Sequence, residues 1–152
     1  MSTIADLARP DPSATLVPQT GNIPILRVTP ITKPFWEGVD QHELRYQRCA
    51  DCGAAIFNPA HVCRSCTSSR LTWQVSAGLG TVYSWTVCHR PMTPDFVTPY
   101  APIIVDLDEG YQMLSNLIDC TVADVRVGLR VEVTYHAVRD RTLPYFRPIA
   151  EA

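Results

Sequence analysis

The sequence predicts a mainly β protein: an extended N-terminal arm and short helix (residues 1–32 and the start of 33–70), a small cysteine-held ribbon ending at 70, and a five-stranded barrel with a C-terminal tail over 71–152. Three observations carry that reading. Two Cys-x-x-Cys pairs, Cys49-Ala-Asp-Cys52 and Cys63-Arg-Ser-Cys66, are separated by ten residues, a spacing that converges four sulfurs on one point. Segments rich in β-branched and aromatic residues follow, with turn signals between them. No helix of useful length separates those segments. A chain of 152 residues suffices for one domain, or for a small module joined to one.

Pro10, Pro12, Pro18, Pro24 and Pro30 punctuate the arm, leaving too few periodic apolar positions for a helix. Leu16, Val17, Ile23, Ile25, Leu26 and Val28 are nonetheless too apolar for a solvated tail, so the arm is expected to dock on its own domain or on a second chain. Lys33 to Gly38 reads as one or two helical turns, with Thr32 as cap, Pro34 in the first turn, Glu37 near the positive end and Gly38 as the stop. Phe35 and Trp36 on it either cover the ribbon or anchor a partner.

Glu43 to Arg48 alternates Leu44 and Tyr46 with charged residues, a strand leading into the first cysteine pair. Gly53, directly after Cys52, supplies the positive φ that such a knuckle needs, and Asn58-Pro59 marks the tip of a short hairpin between the pairs. Cys49, Cys52, Cys63 and Cys66 thus form a four-thiolate zinc site; two disulfides are the competing reading. A closed four-sulfur site is structural, with no open position for chemistry. It leaves His61 as a loop residue without a metal contact.

Five segments read as barrel strands: Leu71–Val75, Gly80–Cys88, Ala101–Leu107, Tyr111–Ile118 and Leu129–Val138. Asp108-Glu109-Gly110 is a hairpin turn and Val127-Gly128 introduces the last strand. The natural five-stranded choice is an OB-fold. In the last strand Val131, Val133 and Tyr135 share one face and Glu132, Thr134 and His136 the other. His89 to Tyr100 is a proline-rich loop in which Met92 and Phe96 suit a binding edge. Arg139, Arg141 and Arg147 gather beside Tyr145 and Phe146 in the C-terminal tail.

Hydrophobic residues make up 46% of the chain and charged residues 18%, with a formal net charge of -2. That balance argues against broad phosphate-backbone binding, which relies on an excess of Lys and Arg. The N-terminal stretch lacks a basic segment followed by an apolar run, so the chain is expected in the cytoplasm, where paired Cys-x-x-Cys motifs favour metal over disulfide. Cys88 and Cys120 read as small buried hydrophobes in preference to nucleophiles. Asp106, Asp108 and Glu109 read as turn residues and not as an acid/base pair. No nucleophile elbow or phosphate loop is present.

The residues Phe35-Trp36-x-Gly38, Leu44-x-x-x-Arg48-Cys49-x-x-Cys52-Gly53, Pro59, Cys63-x-x-Cys66, Trp73, Gly80-x-Val82-x-Ser84, Pro102 with Ile103 to Leu107, Val127-Gly128 and Phe146-Arg147-Pro148 resemble a family of small proteins that join a rubredoxin-like zinc ribbon to an OB-fold. The resemblance covers roughly Pro34 to Pro148. Arg64 and Thr67-Ser68-Ser69 depart from the family pattern around the second pair. The resemblance implies an accessory subunit without independent catalysis, paired with a thiolase-like or lipid-transfer-protein-like enzyme. Such complexes act on acyl-CoA thioesters by acyl transfer, thiolysis or retro-aldol cleavage of steroid side chains.

Two further readings stand beside it. In one, the barrel binds the CoA thioester directly, with Arg139, Arg141 and Arg147 on the phosphates. In the other it binds single-stranded nucleic acid, as ribbons and OB-folds do elsewhere. For the accessory subunit, Phe35, Trp36, Met92, Phe96, Tyr145 and Phe146 are the interface candidates.

Overall fold

A computed structural model describes residues 11–149; the first ten residues of the expected arm and the last three of the tail lie outside that range. Helix α1 spans Lys33–Asp40 and strands β1 to β8 span Arg45–Cys49, Ala55–Ile56, Leu71–Val75, Leu79–Trp85, Ala101–Leu107, Gln112–Leu117, Arg130–Val138 and Arg141–Pro148. A 3-10 turn at Val122–Asp124 is fastened by Asp124, whose carboxylate accepts from the Thr121 backbone N–H at 2.8 Å and hydroxyl at 2.7 Å.

Strands β2-β1-β3 form a three-stranded sheet, and β4-β5-β6-β8-β7 close into a barrel. Leu71–Val75 is therefore not a barrel strand. It pairs with β1 over its whole length, from Arg45↔Val75 to Cys49↔Leu71, because β1 is the middle strand of the ribbon and two-residue β2 covers only part of its other edge. The fifth barrel strand is instead β8, the segment the sequence reads as a tail. It pairs with β7 from Val131↔Pro148 to Val138↔Arg141. Pro144 is tolerated in it because β6 meets β8 at the single pair Leu117↔Phe146, so most of that edge carries no ladder for a proline to break.

Helix α1 runs two residues past Gly38. His42, at φ 60, ends it, donating its N–H to the Val39 carbonyl at 3.0 Å. Gly38 serves packing, since a Cβ there would meet the Arg45 side chain at 2.7 Å. Thr32 makes no side-chain cap; its hydroxyl turns back to Thr29, accepting that residue's N–H at 2.9 Å.

One hydrophobic core runs through arm, helix, ribbon and barrel. Leu16, Phe35, Val39, Leu44 and Tyr46 pack in the same cluster as Val82, Ile103, Val105, Leu117, Val131 and Phe146. Along β5 the inward residues Ala101, Ile103, Val105 and Leu107 are buried while Asp106 is exposed, as period-two alternation requires. The ribbon joins the barrel through aromatic contacts: Tyr46 stacks on Tyr111 with centroids 4.9 Å apart, and Phe57 lies 5.4 Å from the same ring. The arm docks on its own barrel, Leu16 donating to the Cys120 carbonyl at 2.8 Å and accepting from Asp119 at 2.9 Å.

Gly80 holds β4 against β5. A Cβ there would lie 2.5 Å from the Asp106 carbonyl oxygen and 2.6 Å from Val105 Cγ1, and neither backbone nor core can yield without opening the pair. Gly80→Ala is expected to cost about 1–3 kcal/mol as an overpacked site, read as a lower urea midpoint with unchanged metal content.

Candidate functional site

The sulfurs of Cys49, Cys52, Cys63 and Cys66 all lie within 4.8 Å of one another. Cys49 and Cys66 are 3.6 Å apart, as are Cys52 and Cys63. Four thiolates at ~2.3 Å from one Zn²⁺ at tetrahedral angles stand about 3.8 Å apart, so the set fits a single ion; two disulfides would need bonded sulfurs near 2.05 Å. Gly53 sits at φ 74 and Thr67, at the equivalent position after Cys66, at φ 62. Each knuckle closes with a backbone bond, Gly53 N–H to the Cys49 carbonyl at 3.0 Å and Thr67 N–H to the Cys63 carbonyl at 2.9 Å.

The thiols are electrostatically coupled. Backbone N–H groups of Cys66 and Ser65 draw the Cys63 thiol down to about 6. At Cys66 the Ser68 backbone N–H also favours the thiolate, but neighbouring sulfurs and burial outweigh it and push the thiol up to about 12. Four thiolates so close together need a cation between them. His61 is exposed and outside the cluster.

Arg48 ties the first knuckle to the barrel, donating to the Gly53 carbonyl at 2.7 Å and to the Glu109 carbonyl at 3.3 Å. Glu109 accepts the Ala77 N–H at 2.7 Å, and Asp108 forms a bidentate pair with Arg130, both bonds 2.8 Å. That guanidinium holds the Asp108 carboxyl below its ordinary value. Asp106 accepts from Gln112 at 2.8 Å. All three carboxylates thus serve the turn and the strands beside it. Cys120 is half-buried, and burial, then Asp124 and Asp119, pushes its thiol up to about 11, which is unsuited to a nucleophile. Cys88 bridges Tyr100 across the proline-rich loop.

The remaining candidates scatter. Phe146 is fully buried and Tyr145 nearly so because β8 is a barrel strand, and Phe35 on α1 is nearly buried in the same cluster as Phe146; the sequence reading of Phe146 as a partner-facing aromatic is corrected to a barrel-core residue. Met92 is 85% exposed, while Trp36 and Phe96 are half-buried. The three arginines do not form one cluster. Arg139 and Arg141 flank the β7–β8 turn, whereas Arg147 pairs in register with Glu132, six steps along the ladder from Arg141 or roughly 20 Å at ~3.4 Å per residue. Its guanidinium donates to Glu132 at 2.9 Å.

The sequence reading missed a cavity of about 600 Å³ at the seam where β6 and β8 diverge. Ile23–Arg27 of the arm roof it, Phe35, Trp36 and Phe57–Pro59 wall it, and Met113–Asn116 with Leu143–Tyr145 form its floor. Gln19 fixes the roof. Its side-chain amide donates to the Val97 carbonyl at 2.9 Å and accepts the Val97 N–H at 2.8 Å, and its backbone N–H donates to the Tyr145 hydroxyl at 3.2 Å. The only sequence hint was the arm's run of apolar residues.

A four-cysteine ribbon packed on a five-stranded barrel defines the class: a zinc-ribbon OB-fold protein. Residues 36–72 match the model of the ChsH2 rubredoxin-like zinc ribbon domain and residues 73–136 that of the ChsH2 C-terminal OB-fold domain. A solved chain of the Ltp2-ChsH2(DUF35) aldolase is 31% identical and superposes with a TM-score of 0.75, over 82% of this chain and 98% of that one. This chain belongs to the ChsH2 (DUF35) family.

Among curated relatives, the 3-oxo-4,17-pregnadiene-20-carboxyl-CoA hydratase alpha subunit of Mycobacterium tuberculosis is 38% identical over 114 residues, 75% of this chain and 36% of that protein. A DUF35 domain-containing scaffold protein of Methanothermobacter thermautotrophicus is 29% identical over 109 residues, 69% of this chain and 81% of that one. The chain thus spans about a third of the hydratase subunit's length. Among the described residues no helix is long and apolar enough to cross a membrane.

Two outcomes follow from the metal centre. Folded protein is expected to hold about one zinc per chain by elemental analysis, and Cys52→Ser to lose it, with ribbon structure contributing on the order of 10 kcal/mol lost with the ion. Thr67→Gly relieves a left-handed threonine and is expected to gain about 1 kcal/mol, read as a higher urea midpoint.

Proposed function

We propose that this chain is the accessory subunit of a heteromeric complex, pairing with a thiolase-like or lipid-transfer-protein-like enzyme that acts on acyl-CoA thioesters. Retro-aldol cleavage of a steroid side-chain CoA thioester or acyl transfer is the reaction of that complex. The observation that carries the reading is the superposition on nearly the whole of the ChsH2(DUF35) chain of a two-component aldolase. The closed four-thiolate site supports it from the chemistry, since it leaves the metal no open position, and so do the structural partners of Asp106, Asp108 and Glu109. The thiols suit the cytoplasm, a reducing compartment.

Met92, Trp36 and Phe96 remain the sequence candidates with accessible surface, and Met92 is the most exposed. Direct binding through an Arg139, Arg141 and Arg147 triad loses its geometric basis, because Arg147 lies at the other end of the hairpin.

Coexpression with a thiolase-like partner, followed by affinity purification and assay, tests the reading. The two chains are expected to co-elute, with turnover of a CoA thioester only when both are present. Met92→Asp is expected to weaken the complex about 5- to 30-fold, the range of a 1–2 kcal/mol interface residue. Turnover by the zinc-loaded chain alone would contradict the assignment.

A further inference from the structure

Strand β3 is a sheet edge without protection. The barrel closes on itself and the ribbon's order is β2-β1-β3, so β3 has one neighbour and, unlike two-residue β2, is long enough to take a second. Its ladder with β1 settles which backbone groups are free. The Ser76 N–H donates to the Leu44 carbonyl at 2.7 Å, and the Ala50 N–H to the Arg70 carbonyl at 2.9 Å. Both bonds continue the β1–β3 register at its two ends, and hydrogen-bonded pairs alternate along an antiparallel ladder. Thr72 and Gln74 therefore turn their backbone to β1, while Trp73, Val75 and the Leu71 carbonyl turn to the side where no described strand lies. The Leu71 N–H is already donated to the Ser69 carbonyl at 2.9 Å.

Exposed strand edges are usually blunted by Lys, Pro, a bulge or a covering element. The run Leu71-Thr72-Trp73-Gln74-Val75 has no charge and no proline, and its pairing with β1 runs without a shift. Val75 is 58% exposed.

The residue pattern points to a second copy as the occupant. Antiparallel pairing about a twofold axis through Trp73 sets Leu71 opposite Val75 of the second copy, Thr72 opposite Gln74 and Trp73 opposite itself. A twofold axis brings like residues together near its centre, so a charged edge would repel its own copy. This edge has no such charge. The nearest one, Arg70, falls opposite Ser76 and is paired with Asp51 of its own chain.

We propose that two copies of this chain pair through β3, joining their ribbons into one continuous sheet. Trp73 exchanges both N–H···O bonds with its counterpart, and each Val75 N–H reaches the Leu71 carbonyl opposite. A five-residue strand offers less than the ~800 Å² per partner of a standard interface, so the dimer is weak and concentration-dependent. It goes beyond the accessory-subunit reading, since it concerns two copies of this chain and uses the ribbon alone.

The test is sedimentation velocity of the zinc-loaded full chain from about 1 to about 500 µM, with residue-resolved amide exchange at both ends of that range. Reversible dimerisation with a midpoint between ~10 and ~200 µM is expected. The Trp73 and Val75 amides are expected to exchange at least about twofold more slowly in the concentrated sample, with Thr72 and Gln74 protected in both. Val75→Pro removes only the outward donor, at an edge position where proline is tolerated, and is expected to weaken the dimer at least about tenfold with zinc content unchanged. Val75→Lys acts on the same edge through charge, with the same loss expected, and replaces the proline variant should that one fail to hold zinc.

A monomer throughout the range, or a dimer in which Trp73 and Val75 stay unprotected, would overturn the proposal. So would a dimer indifferent to both variants. Slowing of those two amides only when a thiolase-like protein is added would give the edge to a foreign strand and overturn it as well.

Discussion

The structure depends on strand β1 serving two masters. One end carries Cys49, one of the four clustered sulfurs, and three residues earlier Tyr46 enters the barrel's core and stacks on Tyr111. Between them Gln47 is buried and accepts the Ala60 N–H at 2.8 Å, while Arg48 spans from the knuckle to the β5–β6 turn. A five-residue strand has no slack to satisfy one end without the other. The ion that gathers the sulfurs therefore also sets where the ribbon's aromatics meet the barrel. A ribbon this small buries little apolar surface by itself, its second cluster consisting of Cys49, Ile56 and Cys63 with three partly buried neighbours, so metal and barrel together must supply what its core does not.

That arrangement gives the cavity its walls. Helix α1 presents Phe35 to the barrel and to Phe57 of the ribbon at 5.4 Å, and the arm crosses above, held by Gln19. The arm, the helix and the ribbon thus converge on the seam between β6 and β8. Had those strands zipped up beyond Leu117↔Phe146, the chamber would be closed. Pro144 and the sparse pairing are what keep it open.

The metal site was legible because its signal is local: the cysteine spacing places both knuckles, and Gly53 turns the first, without reference to the rest of the chain. Strands β4 to β7 were legible from β-branched runs bounded by turns. What escaped depends on partners distant in sequence. Leu71–Val75 looks like any barrel strand, and only the unfilled edge of β1 assigns it to the ribbon. Arg141–Pro148 was obscured by two prolines and two arginines, which mask a strand whose Phe146 faces the barrel core and whose Tyr145 is buried and accepts the Gln19 N–H of the arm. The three arginines looked neighbourly in sequence until the register of β7 with β8 set Arg147 apart. Gln19 gives no sign in the sequence of the bidentate contact that locks arm to loop.

The account's central claim is that ion, ribbon and barrel form one cooperative unit. Amide hydrogen exchange of the zinc-loaded and chelated chain tests it most directly. Removing zinc is expected to lower protection not only in β1 to β3 but also in the barrel strands that meet Tyr46 and Phe57, first around Tyr111 and β6. Full barrel protection after the ribbon's protection is lost would show two independent modules and contradict it.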